Sequence, residues 1–314
     1  MTTRNIAFIF PGQGSQYVGM GKDLCEQHAA ARAIFAEAED ALGFALSRLC
    51  FSGPEAELKL TENTQPAILA TSIAALRVLE AESSLRPNWV AGHSLGEYSA
   101  LVAAGALNFA DAVKVVRDRG RLMQQAVPAG TGAMAVILGM EVDAVRAVCD
   151  DASQGEVVAP ANYNGGGQIV IAGAKGAVAR AMSLARERGA KRALDLAVSA
   201  PFHCQLMQPA AEGLKRVLTA VPVLPYSLGV ITNVEAEVNR DAGRVKFLLT
   251  EQAVRPVRWE ETVKRLSELG CARAVEIGPG KVLRGLIKRI VPAMAVDNFE
   301  SPGDLARVAA LSSS

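Results

Sequence analysis

The sequence has only three histidines, His28, His93 and His203, so a reaction that needs an imidazole base has few candidates. Cysteine supplies no framework, since Cys25, Cys50, Cys149, Cys204 and Cys271 are odd in number, scattered and never in Cys-x-x-Cys spacing. This argues against a disulfide scaffold and a metal site and fits a reducing cytoplasm. Aromatic residues make up 5% of the chain, too few for a platform that stacks single-stranded nucleic acid. Lys+Arg at 33 against Asp+Glu at 32 leaves a net charge of +1, so no global field draws the chain to nucleic acid or an acidic membrane surface. The N-terminal apolar run, Ile6 to Phe10, is too short for a signal h-region or a membrane span, and the expectation is an unexported cytoplasmic protein.

What is abundant is apolar surface: half of the 314 residues are hydrophobic, enough for one large domain with a small insert or for two modest domains. Ile6 to Phe10, closed by Pro11-Gly12, reads as a strand buried on both faces near the centre of a parallel sheet. A helical pattern follows from about 23 to 49, broken near Gly43, with His28 on a solvated face, and another from about 65 to 81. A strand at 89–93 runs directly into a helix former at 96–104, and a further helix covers about 110–125. Between 134 and 198 the order becomes strand, helix, strand, strand, helix, strand, the βαββαβ unit of a ferredoxin-like fold. The expected organisation is a core of residues 1–130 and 199–314 with an insert at 131–198, the core strands resuming at 228–232 and 272–277.

Gly92-His93-Ser94-Leu95-Gly96 fits Gly-x-Ser-x-Gly and lies between a strand and a helix, where a nucleophile elbow belongs. A Gly-Ser-Gly turn with Ser94 as a helix cap is the plainer alternative. A nucleophilic serine needs a base. His93 belongs to the strand entering the elbow, where alternation turns neighbouring side chains apart, which leaves His203 in Ala200-Pro201-Phe202-His203-Cys204. No Asp or Glu stands out as a third member, so a backbone carbonyl or an amide could orient the imidazole. The N–H of Leu95 is the expected first oxyanion donor, and a second from Gln13 in Pro11-Gly12-Gln13-Gly14 would come from the same sheet edge. Arg119 falls inside the apolar stripe of its helix, formed by Ala112, Val115, Val116, Leu122 and Met123, so its guanidinium requires an anion. Either an internal carboxylate or a substrate carboxylate would serve.

Phe10 to Gln16, Gly92 to Tyr98, Arg119 to Met123, Asn162-Tyr163-Asn164 with 168–173, Phe202-His203 and Glu276 to Gly280 together resemble the malonyl-CoA:acyl carrier protein transacylases of bacterial type II fatty acid synthesis. The resemblance implies an α/β-hydrolase-like core with a parallel sheet, a ferredoxin-like insert and an active site between them. It implies Ser94 as the acylated nucleophile, His203 as its base, Arg119 as partner of the malonyl carboxylate, and Gln13 and Leu95 as the oxyanion pair. Gln252 is similar to a family glutamine whose backbone carbonyl orients the histidine, and Asn162 matches a position lining the cleft. Phe202 stands where several relatives carry a smaller residue, and it resembles the malonyl-selecting pattern of polyketide acyltransferases, unless it is simply core.

On this reading malonyl-CoA and holo acyl carrier protein are the substrates, no metal or bound cofactor is required, and a monomer is the simplest state. Carrier proteins are acidic, so Lys191, Arg192, Arg284, Lys288 and Arg289 are candidates for docking them, with solvated helix faces as the alternative. A free-standing polyketide acyltransferase, a serine esterase or thioesterase, and a silent carrier-binding subunit are the competing functions.

Overall fold

The computed structural model describes residues 5–198 and 200–313; the expected domain limits at residues 1, 199 and 314 fall outside them. Its strands are β1 (Asn5–Phe10), β2 (Trp89–Gly92), β3 (Gly132–Leu138), β4 (Val158–Tyr163), β5 (Gln168–Ala174), β6 (Arg192–Asp195), β7 (Gly229–Ile231), β8 (Val238–Asn239), β9 (Cys271–Ile277) and β10 (Ala295–Phe299). They form two sheets, one in the order β10-β9-β1-β2-β7-β8 and one in the order β4-β5-β3-β6. The larger sheet is parallel except where β8 pairs antiparallel with β7, and the smaller is antiparallel throughout. The α/β class and the ferredoxin-like unit are therefore as the sequence predicts.

The apolar run of β1 lies between β9 and β2, and Ala7 to Phe10 are fully buried. Phe10 pairs with Gly92, so β1 and β2 end side by side, and the loops that leave them emerge at one point of the sheet edge. That is where ligands of open parallel sheets bind. The Thr61–Glu82 helix, buried along most of its length, packs against the Phe109–Gln125 helix and holds it over this edge.

In the smaller sheet, alternation gives two apolar faces. Ala135, Ile137, Ile169 and Ile171 pack with Val145, Val148 and Val178 of the helices Val142–Ser153 and Lys175–Glu187. Met134, Val136 and Val170 face the opposite way and join the core of the larger unit. A second seam joins the units where Asn162 bridges Val257 in parallel, with Val257 N–H donating to Ala161 O at 2.9 Å and Tyr163 N–H to Val257 O at 2.9 Å.

Some local expectations need correction. The segment 23–49 is not one interrupted helix but Lys22–Gln27, Ala29–Leu42 and Leu46–Ser52, the second closed by Gly43 at φ 72°. His28 sits in the break between the first two, half-buried with Nδ1 3.4 Å from a Glu82 oxygen, rather than on a solvated face. β6 ends at Asp195, short of Val198. The short β8 and the edge strand β10, whose Asp297 and Asn298 interrupt its apolar pattern, carry too weak a signal to be read from sequence.

Candidate active site

The turn after β2 is forced by close approach. A Cβ on Gly92 would lie 2.0 Å from the carbonyl carbon of Gly96, so the strand and the following Gly96–Ala103 helix can meet only through glycine. Ser94 occupies the left-handed region at φ 51°, a conformation that costs a non-glycine residue on the order of 1–3 kcal/mol and has to be held by its surroundings. Asn233, just beyond β7, does the holding. Its Nδ2 donates to Gly92 O at 2.7 Å and its Oδ1 accepts from Ser94 N–H at 2.7 Å, so a buried amide staples both sides of the elbow.

His203 is 4% exposed and also lies at positive φ, 60°. Its Nδ1 is 2.7 Å from Gln252 O, a pure acceptor, so Nδ1 carries the proton. Nε2 is then bare and accepts from Ser94 Oγ at 2.7 Å. Burial, and after it the positive charge of Arg119, pushes the imidazole down to about 3, so it stands neutral at pH 7 and able to take a proton.

Arg119 is 2% exposed. Its Nη1 donates to Gln65 Oε1 at 2.8 Å, and its Nη2 donates to Gln252 Oε1 at 2.9 Å and to Ser94 Oγ at 3.1 Å. The Tyr98 ring lies 5.5 Å from the guanidinium carbon. All its hydrogen-bond partners are neutral, its buried Nε has none, and no salt bridge to it occurs among the described residues. The internal-carboxylate alternative is therefore absent, and the guanidinium stands beside the serine as a desolvated cation without a counter-ion in contact.

These groups line a cavity of about 340 Å³ between the two units. Gln13, Leu95, Asn162 and Phe202 line it as well, while Met134, Val136 and Val170 supply the apolar wall from the insert. The backbone N–H groups of Gln13 and Leu95 have no hydrogen-bond acceptor among the described residues, and both residues line the cavity. His93 is also among the residues lining the cavity, and since β2 ends at Gly92 it belongs to the turn rather than to the strand. Its Nε2 is engaged by Asn164 Oδ1 at 2.9 Å, its ring packs 5.6 Å from that of Trp259, and burial lowers its basicity.

Lys191, Arg192, Arg284, Lys288 and Arg289 are all exposed, and no salt bridge to any of them occurs among the described residues. The Gly165-Gly166-Gly167 turn lies between Arg289 and Lys191, since a Cβ on Gly166 would meet Arg289, Gly167 packs on Gly139, and Gly139 packs on Lys191. Arg284, Lys288 and Arg289 share the Val282–Ile290 helix, whose first turn lines the cavity through Val282 and Leu283. That helix begins on Glu276, whose carboxylate accepts from Leu283 N–H and Arg284 N–H, both at 2.9 Å. Burial raises Glu276 to about 6.

Sequence reasoning did not single out Asn233, Gln65 or Asn164. In the sequence they lie among other polar or glycine residues and do not stand out, and only their burial, 0%, 2% and 6% exposed, marks them as partners in a network.

Comparison with known proteins finds relatives along almost the whole chain. Residues 7–307 match the acyl transferase domain family. The malonyl CoA-acyl carrier protein transacylase of Bacillus subtilis is 54% identical over 286 residues, covering 91% of this chain and 90% of the relative. That of Escherichia coli K12 is 45% identical over 300 residues, covering 96% and 97%. Among solved structures, an acyl carrier protein S-malonyltransferase from Vibrio cholerae superposes with a TM-score of 0.95 at 49% identity, covering 97% of this chain and 99% of that one. A malonyl-transacylase solved in complex with its type II PKS acyl-carrier protein gives 0.95 at 45% identity, covering 99% and 100%. With identity this high and coverage this complete, the serine elbow and its buried arginine sit in a chain that belongs to the acyltransferase family, among the malonyl CoA-acyl carrier protein transacylases.

Proposed function

We propose that this protein transfers the malonyl group from malonyl-CoA to the phosphopantetheine thiol of holo acyl carrier protein through a malonyl ester of Ser94, and so supplies fatty acid synthesis in the cytoplasm. The observation that carries the reading is the unpaired, buried guanidinium of Arg119, 3.1 Å from a serine oxygen already hydrogen-bonded to a neutral imidazole. A thioesterase or esterase would have no use for a desolvated cation there, whereas an acyl group ending in a carboxylate supplies its missing partner.

In the first half-reaction His203 Nε2 takes the Ser94 proton as Oγ attacks the thioester carbonyl. The oxyanion forms against the N–H groups of Gln13 and Leu95, donors of a kind worth about 3–4 kcal/mol each in other enzymes. Collapse breaks the carbon–sulfur bond, the imidazolium returns its proton to sulfur, and CoA thiol leaves. The carrier thiol then repeats the sequence on the ester, giving its proton to His203, and Ser94 recovers a proton as it departs. Arg119 bears on the base as well as on binding. Its charge depresses His203, so a carboxylate seated on the guanidinium offsets that charge and makes the imidazole a stronger base once the dicarboxylic acyl group is in place. Phe202 and the insert wall of Met134, Val136 and Val170 limit the space beside the reacting carbonyl, which disfavours a branched acyl group.

The exposed cations Lys191, Arg192, Arg284, Lys288 and Arg289 would offer an acidic carrier a docking surface, and a similar transacylase has been solved with its carrier protein bound. The buried state of all five cysteines suits a reducing compartment, and no helix among the described residues is long and apolar enough to cross a membrane. Intact-protein mass spectrometry after brief mixing with malonyl-CoA tests the whole reading. One malonyl adduct, absent in Ser94→Ala and discharged by holo carrier protein, is the expected result. Free malonate appearing without carrier and without an adduct overturns it.

A further inference from the structure

One buried carboxylate beside the nucleophile has no part in the steps above. Glu97, in the first turn of the helix after the elbow, is 2% exposed. Its Oε2 accepts from Gln252 Nε2 at 2.7 Å and from Asn233 N–H at 3.1 Å. Gln252, fully buried at the end of the Ala242–Gln252 helix, is the residue on which the site converges. Its amide Nε2 also donates to Ser94 O at 2.9 Å, its amide Oε1 accepts from Arg119 Nη2 at 2.9 Å, and its main-chain carbonyl holds His203 Nδ1 at 2.7 Å.

A primary amide can rotate by half a turn and exchange its oxygen for its NH₂. If Gln252 did so, an NH₂ group would face the guanidinium, donor against donor, and the buried cation would lose one of its few acceptors. The ionised carboxylate of Glu97, together with Ser94 O, opposes that rotation, because both accept and do not donate. We propose that Glu97 is a positioning residue of this site, latching the Gln252 side chain and through Gln252 setting both the carbonyl that holds His203 and the amide oxygen that holds Arg119.

The arrangement also accounts for how a cation can stay buried and still be free to bind. Glu97 offsets the charge of Arg119 electrostatically, yet an amide stands between them, so the carboxylate does not occupy the guanidinium. A direct Glu–Arg pair would compete with the substrate carboxylate. The other ionisable groups felt by Glu97 are Glu235 and, from their own shifts, Tyr98 and Tyr226.

The inference concerns the proposed transferase reaction but is readable without it. Glu97→Gln keeps a carbonyl oxygen for both donors, whereas Glu97→Leu removes the shorter of the two bonds that hold the Gln252 NH₂ and leaves Ser94 O to oppose its turning. The rate of Ser94 labelling by a fluorophosphonate, normalised to folded protein, reports the positioned serine–histidine pair whatever the natural acyl group. Labelling is expected to stay within about threefold of wild type in Glu97→Gln and to fall at least tenfold in Glu97→Leu. With malonyl-CoA, Glu97→Leu is expected to lower kcat and raise KM, and with acetyl-CoA to lower kcat alone. Glu97→Leu labelling at the wild-type rate, or Glu97→Gln failing as badly as Glu97→Leu while both are folded, overturns the proposal. If the wild type labels normally but never takes a malonyl group, the transferase reading fails while the labelling contrast still decides the role of Glu97.

Discussion

Replacing Arg119 by alanine separates substrate recognition from nucleophile activation. In the structure the guanidinium has neutral partners only, so the substrate carboxylate would be its one anionic ligand, held in a buried site. Truncating one member of a buried, hydrogen-bonded charge pair costs about 2–5 kcal/mol, which at 1.36 kcal/mol per decade is roughly a 30- to 5,000-fold loss in kcat/KM for malonyl-CoA. Acetyl-CoA has no carboxylate to lose. The same substitution removes the charge that holds His203 down, so the imidazole becomes more basic and acetylation is expected to hold its rate or rise. Rapid-quench mass spectrometry of the acyl-enzyme with each donor measures the two rates directly. Arg119→Lys, which keeps the charge but not the planar fork, should fall between wild type and alanine. A malonyl-to-acetyl ratio in Arg119→Ala equal to that of wild type would refute the reasoning and leave Arg119 as a structural cation.

Other substitutions probe the supporting shell. Asn233→Ala removes the staple on a strained elbow and leaves Ser94 N–H and Gly92 O without partners, and a loss of about 1–3 kcal/mol in denaturant stability with slower acylation is expected; unchanged stability would show that the strain at Ser94 is held elsewhere. Burial raises Glu97 to about 7, so between its unfolded value of 4.5 and 7 the folded protein keeps a proton that the unfolded chain has released, and stability falls as pH rises through that window. Glu97→Gln should therefore be more stable than wild type at pH 8, by about 3 kcal/mol at most, and converge with it near pH 4; a variant less stable at both would contradict this. Lys288→Glu with Arg289→Glu should raise KM for carrier protein and flatten its salt dependence while KM for malonyl-CoA moves less. An unaltered carrier KM would move the docking surface away from the Val282–Ile290 helix.

What could be read from the sequence was local. The apolar run of β1, the Gly-Ser-Gly turn between a strand and a helix, and the alternation of the insert each carry their structure within a few residues. Arg119 was legible for a different reason, since a charge in an apolar stripe contradicts the pattern around it. His203 emerged by elimination among three histidines, and the structure places it 2.7 Å from the serine. His93 falls one residue past the end of β2 and lines the cavity, a placement that strand alternation alone does not give. Gln65, Asn233 and the amide of Gln252 could not be read this way, because their roles arise only where segments distant in the chain meet. Glu97 lies inside a visible motif, but nothing in the motif says that its carboxylate faces a residue 155 positions away.

The seam at Val257 has a consequence for engineering. The strand that carries Asn162 is bonded on its outer side to a segment only a few residues beyond Gln252, the residue that anchors the base. A chimera that exchanged residues 131–198 between relatives would therefore import one half of a hydrogen-bonded joint and keep the other. Any misfit at Val257 would be passed along the short stretch to Gln252 and displace the imidazole, so such a hybrid could bind its new acyl group and yet fail to react. On the proposed function, an exchange meant to alter acyl preference would have to carry the stretch from Gln252 to Val257 along with residues 131–198.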